Sequence, residues 1–117
     1  MNSGPYSPLR YPGGKAKLAW YFKQLVQTND LIDCSYIEPF AGGAGISWDL
    51  LINEYARQVY INDLDIAVYS FWQTLIQQPK ELTYRLRNTR VTVAEWDRQK
   101  RIYQTSHGHN SQTKIRK

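Results

Sequence analysis

The chain has 117 residues, 42% apolar and 14% aromatic, which is one domain's worth or part of a larger domain and excludes a wholly disordered protein. No apolar run approaches the roughly 18 residues of a membrane span, and the polar start lacks a signal-peptide core, so a cytoplasmic protein without membrane association is expected. The net charge of +5 is uneven: residues 1–79 carry 5 basic and 7 acidic side chains, residues 80–117 carry 10 and 3, and the basic last third fits either nucleic acid or a solvated face.

In chain order, "MNSGPYSPLRYPGGK" is rich in proline and glycine and reads as an arm that becomes regular only near Lys15. Leu18, Trp20 to Phe22, Leu25 and Val26 then fit a 3.6 period, predicting an amphipathic helix over 15–28. Cys34, the single cysteine, excludes an intrachain disulfide and a zinc site of the usual Cys/His spacing, and reads as an inert core thiol. "SYIEPF" predicts a short strand that Pro39 ends. A glycine cluster follows. Ile46, Leu50, Leu51 and Tyr55 recur at helical spacing, and "QVYIN" at 58–62 predicts a second strand, so the whole is a β-loop-α-β unit with parallel strands.

Beyond it, Val68, Phe71, Trp72 and Leu75 form the inner side of another helix. Pro79 either ends that helix or starts the next, whose buried pair would be Leu82 and Leu86. Thr92 and Glu95 form a capping-box pattern ahead of a helix presenting Trp96 and Tyr103. From residue 104 a single large apolar side chain, Ile115, remains, and an irregular tail is expected.

Gly42, Gly43 and Gly45 lie where a strand hands over to a helix. Missing side chains there allow close backbone approach, and a helix N-terminus offers free amides, which suits a nucleotide-like ligand. Asp63 stands at the C-terminal end of the second strand, 18 residues after Gly45, where doubly wound sheets carry an acid for ribose hydroxyls. Asn62, Asp63 or Asp65 could equally cap the following helix. The absence of Lys-Ser or Lys-Thr after the glycines speaks against a phosphate-binding P-loop.

The segments "RYPGGK" at 10–15, "YIEPFAGGAGIS" at 36–47 and "YINDLD" at 60–65 together resemble the start of DNA adenine methyltransferases of the Dam type, over residues 8 to about 103. The resemblance implies a fragment of a Rossmann-like three-layer α/β/α fold with S-adenosylmethionine as cofactor and double-stranded DNA as partner. It assigns cofactor contacts to Tyr11, Gly13, Gly14 and Lys15, to Glu38, Pro39, Phe40, Ala41, Gly42 and Gly43, and to Asp63. Lys15 would set a cation against the methionine carboxylate and Phe40 an apolar surface beside the cofactor. A packed aromatic at position 11 and a helix-start lysine at 15 are the plain readings of the same residues.

The family's acceptor motif, Asp-Pro-Pro-Tyr or a near variant, is absent: the five prolines are never adjacent and none follows Asp or Asn. Its carboxylate and prolyl carbonyl would orient the amine of a flipped adenine. The expectation is therefore a cofactor-binding part at 1–79, the start of a helical target-recognition region at 80–103 and a tail at 104–117, truncated or frame-shifted near residue 104 and inactive alone. Arg85, Arg87, Arg90, Arg98, Lys100 and Arg101 are candidate phosphate contacts. Trp48, Trp72 and Trp96 are expected in the core, and His107 and His109, lacking a third ligand, are not read as a metal site. The alternatives are a non-enzymatic DNA- or partner-binding module, or half of a split enzyme completed by a second chain.

Overall fold

The computed structural model describes residues 6–110. A 3-10 turn at Ala16–Leu18 leads into α1 (Ala19–Thr28), followed by β1 (Cys34–Glu38), α2 (Gly45–Ile52), β2 (Ala56–Ile61), α3 (Ile66–Gln77), α4 (Pro79–Asn88) and α5 (Val93–Asn110). By packing, the described residues form two units that divide between Leu64 and Asp65. The partition expected at residue 79 is one of function, whereas this one is of packing.

In the first unit β1 and β2 pair in parallel, with Tyr36 opposite Val59, Ile37 opposite Tyr60 and Glu38 opposite Ile61. Two parallel neighbours need a crossover between them, and α2 provides it, giving the β-loop-α-β unit expected from the sequence. Side chains alternate across a strand, so Tyr36 and Val59 share one sheet face, which together with Ala56 of β2 packs on Ile46 and Leu50 of α2 and Phe22 of α1. The opposite face carries Ile37 and Tyr60, 65% and 54% exposed. Ile46 and Leu50 are fully buried, and Lys23 of α1 is paired with Asp49 of α2 at 2.9 Å. Cys34 is half-buried with Sγ 3.9 Å from the Tyr55 carbonyl.

The helical period over α1 is real, but its inner stripe is Ala19, Phe22 and Val26. Leu18, Trp20, Tyr21 and Leu25 are 40% exposed or more. Because consecutive helical residues lie 100° apart, the run Trp20-Tyr21-Phe22 sends only one ring inward.

In the second unit α3 buries Val68 and Trp72 and half-buries Phe71 and Leu75, as the spacing predicts. Asp65 is the cap: its Oδ1 accepts from the Ala67 amide at 2.9 Å. Pro79 opens α4, where its missing N–H costs nothing. α4 packs on α3, yet only Leu82 is half-buried, and Leu86 is 67% exposed. Leu86 therefore does not join the expected buried pair, since among the described residues α4 packs chiefly on α3 and carries five charged or amide side chains among its ten residues.

Thr92 Oγ1 accepts from the Glu95 amide at 3.1 Å, one half of the expected capping box. The Glu95 carboxylate turns instead to Arg98 and Gln99. Trp96 is 59% exposed rather than in the core, covered by Lys100, whose Nζ lies 4.8 Å from the ring centroid. Trp48 is half-buried and Trp72 buried. α5 continues through 104–110, where an irregular tail was expected, because a helix propagates by one backbone bond per residue without needing an apolar face. The rest of that tail lies outside the described residues. No described helix is long and apolar enough to cross a membrane.

Candidate functional site

The site lies entirely in the first unit, where three sequence segments meet at the C-terminal end of the sheet. Binding crevices of parallel sheets form there because the strands end together and loops diverge from them. The first segment is the arm. A turn from Tyr11 to Gly14 closes with the Gly14 amide on the Tyr11 carbonyl at 3.1 Å, and Pro12 followed by Gly13 at φ 75° has the signature of a type II turn. Lys15 follows, its Nζ donating to the Phe40 carbonyl at 3.4 Å.

The second segment is the glycine loop between β1 and α2, in which Ala41, Gly42, Gly43 and Ala44 are all buried. The arm lies against it. A Cβ on Gly42, whose φ is 49°, would sit 2.8 Å from the Tyr11 ring. A Cβ on Gly43 would sit 2.9 Å from the Leu9 carbonyl, and one on Gly45 2.7 Å from Ala16 Cβ. The close approach inferred from the glycines is thus made first by the protein's own arm. Ala44 holds a left-handed conformation, φ 48° and ψ 32°, at the N-cap of α2.

The third segment is the exit of β2. The Asn62 carbonyl accepts from the Ala41 amide at 2.9 Å, and the Asn62 amide donates to the Glu38 carbonyl at 3.1 Å. Asp63 Oδ2 accepts from the Gly42 amide at 2.8 Å. Asp63 is therefore turned to the glycine loop, and the helix cap falls to Asp65.

These segments enclose a cleft of about 270 Å³, lined by Tyr11, Gly13, Gly14 and Lys15 of the arm, Phe40 to Gly43 of the loop, and Asp63. It holds nine of the eleven positions singled out for cofactor contact. Phe40 is 71% exposed, an apolar ring at the rim. Glu38 and Pro39 do not line the cleft. The Glu38 carboxylate is buried and accepts from Ser47 Oγ on α2, while the Pro39 carbonyl accepts from the Asn62 side chain at 3.4 Å. Burial, and then the Glu38 charge two residues along the strand, push the Tyr36 hydroxyl up to about 12. A second cleft of about 270 Å³ lies across the arm, between Ser7 to Tyr11 and Gly43.

The sequence reading named Asn62 only as a possible helix cap and left out Ser47. Both stand inside quoted motifs, and a polar residue closing a strand or opening a helix beside glycines was the signal for each. Chemically, the cleft presents a carboxylate for hydroxyl donors, an ammonium group for an anionic end and an exposed ring for an apolar or aromatic surface. This donor set fits a nucleoside carrying an amino-acid carboxylate.

Of the basic side chains in the second unit, Arg85 pairs with Glu81 at 2.6 Å and Arg98 with Glu95 at 2.8 Å, and Lys100 covers Trp96. Arg87, Arg90 and Arg101 are exposed. The Arg98 hydrogen bonds, and after them Gln99, hold the Glu95 carboxyl down at about 2. The side chains of His107 and His109 lie outside those described, and among the described residues no group of three His, Cys, Asp or Glu could hold a metal ion.

No curated protein and no solved structure matches the chain significantly. The family model of D12 class N6 adenine-specific DNA methyltransferases matches residues 11–117, from the arm through both strands and the basic helices. By that match, and in keeping with a glycine loop, a parallel strand pair and an acid at the end of β2, this chain belongs to the D12 class of N6 adenine-specific DNA methyltransferases.

Proposed function

We propose that the cleft of the first unit receives S-adenosylmethionine for methylation of adenine in double-stranded DNA, and that the 117-residue chain by itself binds the cofactor without transferring its methyl group. The convergence of arm, glycine loop and Asp63 on one cleft is the observation that carries this reading. Asp63 accepts the ribose hydroxyls. An ionised carboxylate offers about four acceptor sites, so ribose and the Gly42 amide are compatible on it. Lys15 sets its ammonium group against the methionine carboxylate, Phe40 covers an apolar edge, and Tyr11 with Gly13 and Gly14 closes the arm side. Glu38 and Pro39 act from beneath the loop.

The cofactor supplies an electrophilic methyl on a sulfonium. The other half of the reaction needs acceptors that hold and orient the adenine amine, and no Asp-Pro-Pro-Tyr occurs in these residues. Calorimetric titration of S-adenosylmethionine into the wild type and Asp63→Ala tests the reading, together with labelled-methyl incorporation into DNA. Binding lost in the variant and no incorporation are expected. A wild type that does not bind would overturn the cofactor reading, and robust incorporation the claim of inactivity.

The exposed basic residues of α4 and α5 favour a second reading, a DNA-binding module or one half of a split enzyme. Duplex binding that falls steeply with salt and ignores the cofactor is its mark, because phosphate contacts release counterions. Restoration of activity by a second chain carrying the acceptor motif marks the split enzyme.

A further inference from the structure

Glu38 ends β1 and Ser47 lies in the first turn of α2, so the two residues bracket the whole glycine loop. Both are buried, 7% and 0% exposed, and the Ser47 hydroxyl donates directly to Glu38 Oε2. At the same point the Glu38 carbonyl accepts from the Asn62 amide, so one residue ties β1 to both α2 and the exit of β2. Above this tie, Ala41 and Gly42 are held by Asn62 and Asp63.

We propose that Ser47 and Glu38 are positioning residues: their hydrogen bond is a strut that fixes the two ends of the glycine loop, and so holds Asp63, which the Gly42 amide of that loop engages, in place for the cofactor. The inference rests on the cofactor reading above. It reassigns Glu38 from cofactor ligand to loop support. The physical argument is that a buried carboxylate with its partner removed must find another donor, and the loop is the stretch of chain that runs between the two bonded residues. Losing the strut therefore disturbs the loop before the core.

The test uses the full chain and four variants, Ser47→Ala, Ser47→Thr, Glu38→Ala and Glu38→Gln, with two readouts. Amide hydrogen exchange at Ala41, Gly42 and Ala44 needs no cofactor, and calorimetric titration measures S-adenosylmethionine affinity. Ser47→Ala and Glu38→Ala are expected to speed exchange at those amides and weaken the cofactor by about tenfold each, the scale of one hydrogen bond to a charged group. Exchange in α1 should not change. Ser47→Thr keeps the hydroxyl and Glu38→Gln keeps an acceptor oxygen, so both should stay within about threefold of wild type.

Unchanged loop exchange in Ser47→Ala would overturn the strut. A Glu38→Gln chain that loses the cofactor with its loop exchange intact would also overturn it, making Glu38 a direct ligand. If Ser47→Ala does not fold, Glu38→Ala against Glu38→Gln decides: faster loop exchange in the first and not in the second supports the strut, and unchanged exchange in both overturns it. A wild type that binds no cofactor defeats the cofactor reading alone, and the exchange measurements still decide the strut.

Discussion

The two units differ in their polar side-chain bonds, although the second also holds one long-range bond, from Tyr103 to Asp65. In the first, Glu38, Ser47, Asn62 and Asp63 join elements far apart in sequence, bonding strand to helix and loop to strand. In the second, Glu81 with Arg85 and Glu95 with Arg98 bond within one helix, three or four residues apart on an exposed face. Pairs of the first kind define where loops sit, and pairs of the second kind support helices by only a few tenths of a kcal/mol. A site needing one shape is therefore built in the first unit, while the second offers exposed helices with basic surfaces.

The largest test of this contrast is apolar. Leu50 is fully buried and Leu86 is 67% exposed, so Leu50→Ala should destabilise by about 3 kcal/mol and Leu86→Ala by less than about 0.5 kcal/mol. Urea unfolding of the two variants checks this, and equal shifts would break the contrast.

Next comes the loop. Gly42→Ala must hold an L side chain at φ 49° against the Tyr11 ring, and should cost about 2 kcal/mol and open the arm. Thermal unfolding reads the first effect, and proteolysis near residue 10 the second.

The two neighbouring aspartates sharpen the comparison further. Asp65→Ala removes the cap of α3 and the acceptor for the Tyr103 hydroxyl, 3.1 Å away within the second unit. It should cost about 1 kcal/mol of stability and leave S-adenosylmethionine titrations unchanged, unlike Asp63→Ala.

The smallest expected effects are in pH. Glu95 is lowered from its ordinary 4.5 to about 2, so its contribution is complete above pH 4.5 and lost as pH falls toward 2; far-ultraviolet circular dichroism of an acid titration should show helix loss there. Tyr36 is raised from 10.0 to about 12, so its contribution is present below pH 10 and lost as pH rises through 12. Tyrosinate absorbance should show the Tyr36 ring titrating late, and Glu38→Gln should bring it earlier.

Much of the fold was legible because it is periodic. The β-suited residues of "SYIE" and "VYI" and the helical recurrence of Ile46 and Leu50 or of Val68 and Trp72 are local signals, and each element stands where they lie, while the sequence left open whether Pro79 ends α3 or opens α4. The amphipathic character of α1 was legible too, but not which of its three consecutive aromatic rings turns inward.

By itself the sequence determined the family, the parallel β-loop-α-β unit and the three segments that meet at the cleft, since motif order and spacing are properties of the chain. Only the tertiary structure decided the partners. It showed that the glycines make room first for the arm, that Asp65 rather than Asp63 caps α3, and that Glu38 turns to Ser47 and away from the cleft. It also showed that Leu86 and Trp96 stay outside the core. The reason is physical: a side chain's type states what bonds it can make, but which partner it meets depends on elements brought together from elsewhere in the chain.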